Sequence, residues 1–240
     1  MLSKKLKDQI IKASNSLSFE TRDNAERLVK IGGVLTEKPF WLDKTEQIHE
    51  IEGKFYGDYI QAHPNFKLLV REGVLERLKA AQTKLPKDWQ IIVRAGYRPY
   101  EVQAAMFDDY VDRLGEEHPE WSDGKCVDYA EQYISNPYRL NPCPHVTGGA
   151  VDVEVYDKKL DSVVDMGGKI CELSVRSHCL NSSLDVAQRK NQETLIAAMC
   201  EAGFAPFSTE WWHFSYGDQR WASFYDKPFA KYGNTEQAKV

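Results

Sequence analysis

Apolar positions along the 240-residue chain follow two periods, and each period predicts a different kind of element. Leu68, Leu69, Leu75, Leu78 and Ala81 share one face of a helix expected over Lys67 to Leu85. Val102, Ala105, Met106, Tyr110, Val111 and Leu114 do the same from Pro99 to Leu114, with proline in the first turn. Two further helices are expected, an amphipathic one near Lys4 to Ala13 and one from about Leu184 to Ala202 that Gly203 ends. A period of two marks strands. Val151, Val153 and Val155 alternate with Ala150, Asp152 and Glu154; Trp212, Phe214 and Tyr216 alternate with His213 and Ser215; Trp89 to Arg94 is a short apolar strand. Between these elements the pattern lapses. Residues from about 20 to 66 read as an irregular aromatic wrap (Phe40, Trp41, Phe55, Tyr56, Tyr59) that reaches the functional cleft while most of these side chains pack in the core, and Gly115 to Pro144 reads as a long polar loop or lid over that cleft. From Gly233 onward the chain is expected to fray. The sum is an α+β fold: one domain over residues 1–240, with a small, mainly antiparallel sheet and helices packed on one side.

Composition narrows the class of protein. A formal net charge of −5 from mixed signs offers no basic stripe for nucleic acid. The charged first twelve residues lack an uninterrupted apolar core, so they do not read as a signal peptide, and no run approaches a membrane span. Five cysteines at positions 126, 143, 171, 179 and 200 form no C-x-x-C pair, which suits a reducing cytoplasm better than a disulfide framework. A soluble cytoplasmic enzyme is the expectation.

Two distant segments carry the chemistry. His145-Val-Thr-Gly-Gly-Ala-Val-Asp152 and Glu210-Trp-Trp-His213 supply two imidazoles and two carboxylates. A catalytic Zn²⁺ takes three nitrogen or oxygen ligands and leaves a fourth position to water, whose pKa falls to about 7. His145, Asp152 and His213 fill three places, and Glu210 is left as the base. His145 lies an odd number of residues before Asp152, so a straight strand would point them to opposite faces; Gly148 and Gly149 are where the chain can turn to bring them together. His49, His63 and His118 have no such company. His178, in Arg176-Ser177-His178, is kept as a supporting group around the metal. A third segment, Ala95-Gly-Tyr-Arg-Pro99, fixes Arg98 at a strand-to-helix corner, where it could donate to an oxyanion or to a substrate carboxylate. The turn position favours Arg98 over Arg94.

These segments, with Asp165-Met-Gly-Gly168, resemble the VanX-type D-alanyl-D-alanine dipeptidases, among zinc peptidases that include D,D-carboxypeptidases and the hedgehog amino-terminal domain. The resemblance runs from about Trp89 to Tyr216. It implies one zinc per chain on His145, Asp152 and His213, Glu210 as general base, Arg98 as transition-state stabiliser, and a small dipeptide as the substrate. Two positions depart from the family pattern. Cys143 stands where the family usually has a serine that helps to hold the dipeptide. Cys171 stands where it usually has an aspartate for the substrate's amino group, with Glu172 beside it; Glu172 or Asp165 is a candidate replacement. Cys143, Cys171 and Glu172 are therefore the substrate-binding candidates. The competing readings are a D,D-carboxypeptidase or endopeptidase acting on peptidoglycan stem peptides and a non-catalytic zinc-binding module; retention of Glu210 and Arg98 speaks against the latter.

Overall fold

The chain is represented by a computed structural model, which describes residues 2–13, 20–22, 26–32, 35–39, 54–139 and 143–235. Phe40, Trp41 and His49 lie outside the described residues. The central sheet is assembled from β2 (Thr36–Glu37), β4 (Trp89–Ala95), β5 (Ala150–Asp157), β8 (Glu210–Ser215) and β7 (Ala205–Phe207), side by side in that order, with β6 (Ser162–Val163) on the far end of β5. Only β2 against β4 is parallel; the pairs β4/β5, β5/β6, β5/β8 and β7/β8 are antiparallel. The expected α+β class with a mainly antiparallel sheet is the one found.

The alternation in β5 gives the sheet its two faces. Val151, Val153 and Val155 are at most 1% exposed and join Ile91, Val93 and Ala95 of β4 in the main core. That core is closed by α3 (Glu72–Lys84), through Val74, Leu78 and Ala81, and by α6 (Val186–Glu201), through Leu195, Ile196 and Met199. Each fully buried valine contributes roughly 1.5–3 kcal/mol, so the register of β5 is firmly set, and Asp152 is thereby turned to the opposite face. α6 opens on a capping box in which the Asp185 carboxylate accepts from the Gln188 backbone N–H and the Gln188 side chain accepts in return. The first helix, α1 (Lys4–Ala13), has the bounds expected from the sequence.

Three segments differ from expectation. Residues Leu69–Arg71 form β3, paired with β1 (Leu28–Lys30), so the helix expected from Lys67 starts only at Glu72. Here the main chain has better partners than a helix would give: besides the β1 ladder, the Leu69 carbonyl accepts from Tyr97 N–H at 2.7 Å. The polar stretch after Gly115 is not a loop throughout. α4 (Tyr100–Glu117) runs into it, and α5 (Asp123–Ala130) follows, capped by the Ser122 hydroxyl. Cys126 and Ala130 of α5 pack with Phe107, Tyr110 and Leu114 of α4 and with Tyr133 and Ile134 in a second core. The aromatic wrap contains a helix, α2 (Lys54–Ala62), whose Tyr56 and Tyr59 pack on Val102 and Met106 of α4. After α7 (Gln219–Phe224) the chain stays tied down as far as Thr235: Tyr232 is fully buried, the Gly233 carbonyl accepts from Arg71 and the Thr235 carbonyl from Tyr97. No described helix is long and apolar enough to cross a membrane.

Candidate metal centre

His145 and Asp152 are brought together by a turn. His145–Thr147 is one turn of 3₁₀ helix, ended by Gly148 at φ +72°, and β5 starts two residues later. A Cβ on Gly148 would sit 2.6 Å from Leu28, so both the backbone angle and the space call for glycine there. Asp152 lies between Ala95 of β4 and His213 of β8, in the middle of the sheet. His213 and Glu210 are three apart on one strand and would face opposite ways if it were regular. It is not regular: Pro206 pairs with Phe214 and Phe207 with Glu210, leaving Trp211–His213 without partners on β7. Such a bulge bends the strand and re-aims its side chains, and both groups reach the same cleft. All six residues of β8 are buried, so the strand has no solvent-facing side.

At the centre three side chains converge that could hold a metal ion. His145 Nε2 is 3.2 Å from Asp152 Oδ2 and 3.2 Å from His213 Nδ1, and His213 Nδ1 is 3.1 Å from Asp152 Oδ1. Three ligands held about 2.0–2.2 Å from one tetrahedral ion stand a little over 3 Å apart, so the spacing fits zinc. Among the described residues this is the one group of three potential metal ligands found, and all three are buried. His145 Nδ1 is 2.8 Å from the Gly96 carbonyl. Donation from that nitrogen leaves Nε2 with its lone pair toward the centre, the tautomer a metal ligand needs. His213 Nε2 faces the Ser215 hydroxyl at 3.4 Å, so its Nδ1 is the inward atom.

Charge follows from burial and neighbours. Burial by itself would raise the pKa of Asp152, yet His145 and His213 hold its carboxyl well below the usual carboxylate range. Burial pushes His213 down to about 4 against the opposing pull of Asp152, so near neutral pH the ring is uncharged and able to bind a metal. Glu210, 8% exposed, places Oε2 3.7 Å from His213 Nδ1, next to the ligand atoms without being one of the three.

Arg98 enters from the β4–α4 corner. Its backbone N–H donates to the His145 carbonyl, and its guanidinium donates to Tyr56 Oη at 3.3 Å and Gln103 Oε1 at 2.9 Å, with Nη2 4.0 Å from Asp152 Oδ2. Gln103 is held in turn by donating to the Ser135 carbonyl. The surrounding cleft is lined by His145, Asp152, His213, Glu210 and Arg98, together with Tyr133, Ser135, Phe207 and Arg220.

The remaining candidates divide. Cys171 lines the cleft, in a left-handed conformation at φ +60° that is rare for a side-chain-bearing residue. Cys143 is buried behind the wall, its thiol donating to the Ser135 carbonyl at 3.7 Å, and burial pushes its pKa up to about 12. Glu172 is not brought to the cleft: its carboxylate accepts from Lys169 N–H and Ser174 Oγ and pairs with Arg176. Asp165 is tied to Gly167 N–H and Gln188. His178 touches none of the ligands; its ring lies 6.1 Å from that of Tyr133. His63 stacks on Tyr59 and His118 on Trp121. Tyr56 belongs to the aromatic stretch expected to reach the site, whereas the sequence does not place Gln103, Ser135 or Arg220 there. Gln103 could have been suspected only from contacts that a linear pattern does not carry.

Residues 52–234 match the family described as D-ala-D-ala dipeptidase, Peptidase M15. Curated relatives described as D-alanyl-D-alanine dipeptidase are similar to this chain. One from Synechocystis is 36% identical over 201 residues, covering 70% of this chain and 79% of its own. One from Escherichia coli is 27% identical, covering 61% and 65%, and one from Enterococcus faecium is 26% identical, covering 63% and 74%.

Proposed function

Because the chain belongs to the D-Ala-D-Ala dipeptidase family of M15 peptidases, we propose that it hydrolyses D-alanyl-D-alanine, or a closely related dipeptide, with one zinc ion held by His145, Asp152 and His213. The observation that carries this reading is the convergence of three ligand atoms within 3.2 Å of one another beside a carboxylate that is not one of them. Zinc bound there would polarise the scissile carbonyl and bring the pKa of water toward neutrality.

The chain's own groups do the rest. Glu210 Oε2 takes the proton of the attacking water and returns it to the leaving amine, so a single carboxylate acts as base and then as acid. Arg98 donates to the oxygen on which negative charge develops. Tyr56 and Gln103 fix its guanidinium before substrate arrives, so little reorganisation is needed as the charge forms. Gly96, by accepting from His145, holds that ring in its metal-binding tautomer.

The test is a panel of D,D-, L,D- and L,L-dipeptides plus one pentapeptide ending in D-Ala-D-Ala, assayed for free amino acids before chelation, after it, and after zinc is returned. D-Ala-D-Ala should be cleaved fastest, with loss on chelation and recovery with zinc. Hydrolysis indifferent to chelation would remove the metal from the mechanism, and preference for the pentapeptide would make the protein a carboxypeptidase.

A further inference from the structure

Arg220 is the one buried cation of the cleft that the proposed mechanism leaves unused. It lies in α7, whose first turn is capped by the Asp218 carboxylate accepting from Trp221 N–H. The residue is 7% exposed, and its guanidinium carbon sits 3.6 Å from the centroid of the Phe207 ring. The hydrogen bond described for this side chain is a long one, from Nη2 to Ser135 Oγ at 3.4 Å, and its buried Nε has no hydrogen-bond partner. An arginine has five N–H groups to place, and buried donors are nearly always satisfied by protein, water or a ligand. Burial works against its charge, while Asp218 and Glu210 favour it.

The neighbours indicate what would complete it. Phe207, Ser135, Glu210 and Arg220 line the same cleft as the metal-binding side chains, so a molecule at the centre lies within reach of this wall. Arg98, the other guanidinium there, is already engaged by Tyr56 and Gln103 and faces Asp152. Cys143 adds no negative charge, because its thiol is neutral and directed to the Ser135 carbonyl. What fits beside Arg220 is an anion with paired oxygens, small enough to share the cleft with the reacting carbonyl. A planar fork backed by an aromatic face is the arrangement arginine uses for carboxylates.

We propose that Arg220 binds the C-terminal carboxylate of the dipeptide, with Phe207 as the surface that holds the guanidinium flat. This rests on the dipeptidase reading for the identity of the substrate, and it assigns that substrate a direction: the C-terminal residue lies toward α7, and the amino end points away from Arg220. Free carboxylate, rather than an amide or a further peptide bond, is then what the site selects.

The experiment compares D-alanyl-D-alanine with D-alanyl-D-alaninamide. Binding of each to metal-free wild-type protein is measured by calorimetry, and kcat and KM of the zinc-loaded enzyme are measured for both. The same measurements are made on Arg220→Gln and Arg220→Lys, with thermal unfolding as a check on folding. Wild type should favour the acid. A charge-assisted hydrogen bond in such a place is typically worth about tenfold to a hundredfold, so R220Q should lose that much affinity for the acid, mostly in KM, and almost none for the amide. R220K should fall between. Equal losses on acid and amide, or no preference for the acid in the wild type, would overturn the assignment and leave Arg220 a packing residue. If no dipeptide is hydrolysed, the proposed reaction fails, while the acid-against-amide binding comparison still decides the role of Arg220.

Discussion

The cleft has two walls, and they are held in place by different means. On the sheet side, His145, Asp152 and His213 are fixed by main chain: a 3₁₀ turn closed by Gly148, the middle of β5, and a bulge in β8. On the helical side, Arg98 and Gln103 of the β4–α4 segment, Ser135 and Arg220 are joined through side chains: Arg98 donates to Gln103, Gln103 to the Ser135 carbonyl, and Arg220 to the Ser135 hydroxyl. The sheet wall therefore draws its precision from a core it shares with α3 and α6. The helical wall depends on the packing of α4 and α5 and on a few polar contacts. Substitutions at Ser135 or Arg220 should change which molecule is accepted while leaving His145, Asp152, His213 and Glu210 in place.

The sharpest way to break this contrast is to remove chemistry while leaving the sheet wall intact. Glu210→Gln should retain stoichiometric zinc by elemental analysis and lose about 10²–10⁴-fold in kcat, the usual worth of a positioned acid–base group. Loss of metal with activity kept would reverse the roles given to Glu210 and the ligands. Arg98→Ala, at the seam between the walls, should cost about 10²–10³ in kcat with little change in metal content; a change confined to KM would move Arg98 to substrate binding.

Acid probes the sheet wall through His213. His213 is buried with its pKa lowered from 6.5 to about 4, so between those values the folded metal-free protein binds fewer protons than the unfolded chain. The contribution of His213 to stability therefore falls as pH drops through that window. Urea midpoints measured on metal-free protein from pH 7 to pH 4.5 would check this, and a flat profile would contradict the burial of an uncharged ring. The smallest effect is expected at Glu172, which the resemblance made a pocket candidate and the fold turns away. Glu172→Gln should change kcat/KM for D-Ala-D-Ala by less than about threefold, in line with a partly exposed ion pair.

The same division explains what could be read from the sequence. Residues whose side-chain direction follows strand alternation or a glycine turn were legible: Asp152 from the three valines, and the meeting of His145 with Asp152 from Gly148 and Gly149. β3 was not, because Leu68 and Leu69 fit a helical face equally well, and only pairing with β1 decides between the two. α5 was hidden in a polar stretch, although Ser122 followed by Asp123 was a usable capping signal. The joint presence of His213 and Glu210 in one cleft needed the β8 bulge, which no periodicity reveals. Arg220 was missed because Asp218 announces the start of a helix but says nothing about which way the second residue of that helix turns. At the left-handed turn of Cys171 the cleft is lined by Cys171 and Leu173, while the Glu172 carboxylate between them pairs with Arg176, a direction that no periodicity carries.

Asp152 stands on a strand hydrogen-bonded on both sides, and this has a consequence for how the protein matures. Because side chains alternate strictly, sliding β5 by a single residue would put a valine among the imidazoles and bury the carboxylate beneath α3 and α6. A chain caught in that arrangement has lost its core and its ion-binding capacity together. An ion that needs all three side chains would thus bind only to chains whose strands are correctly aligned.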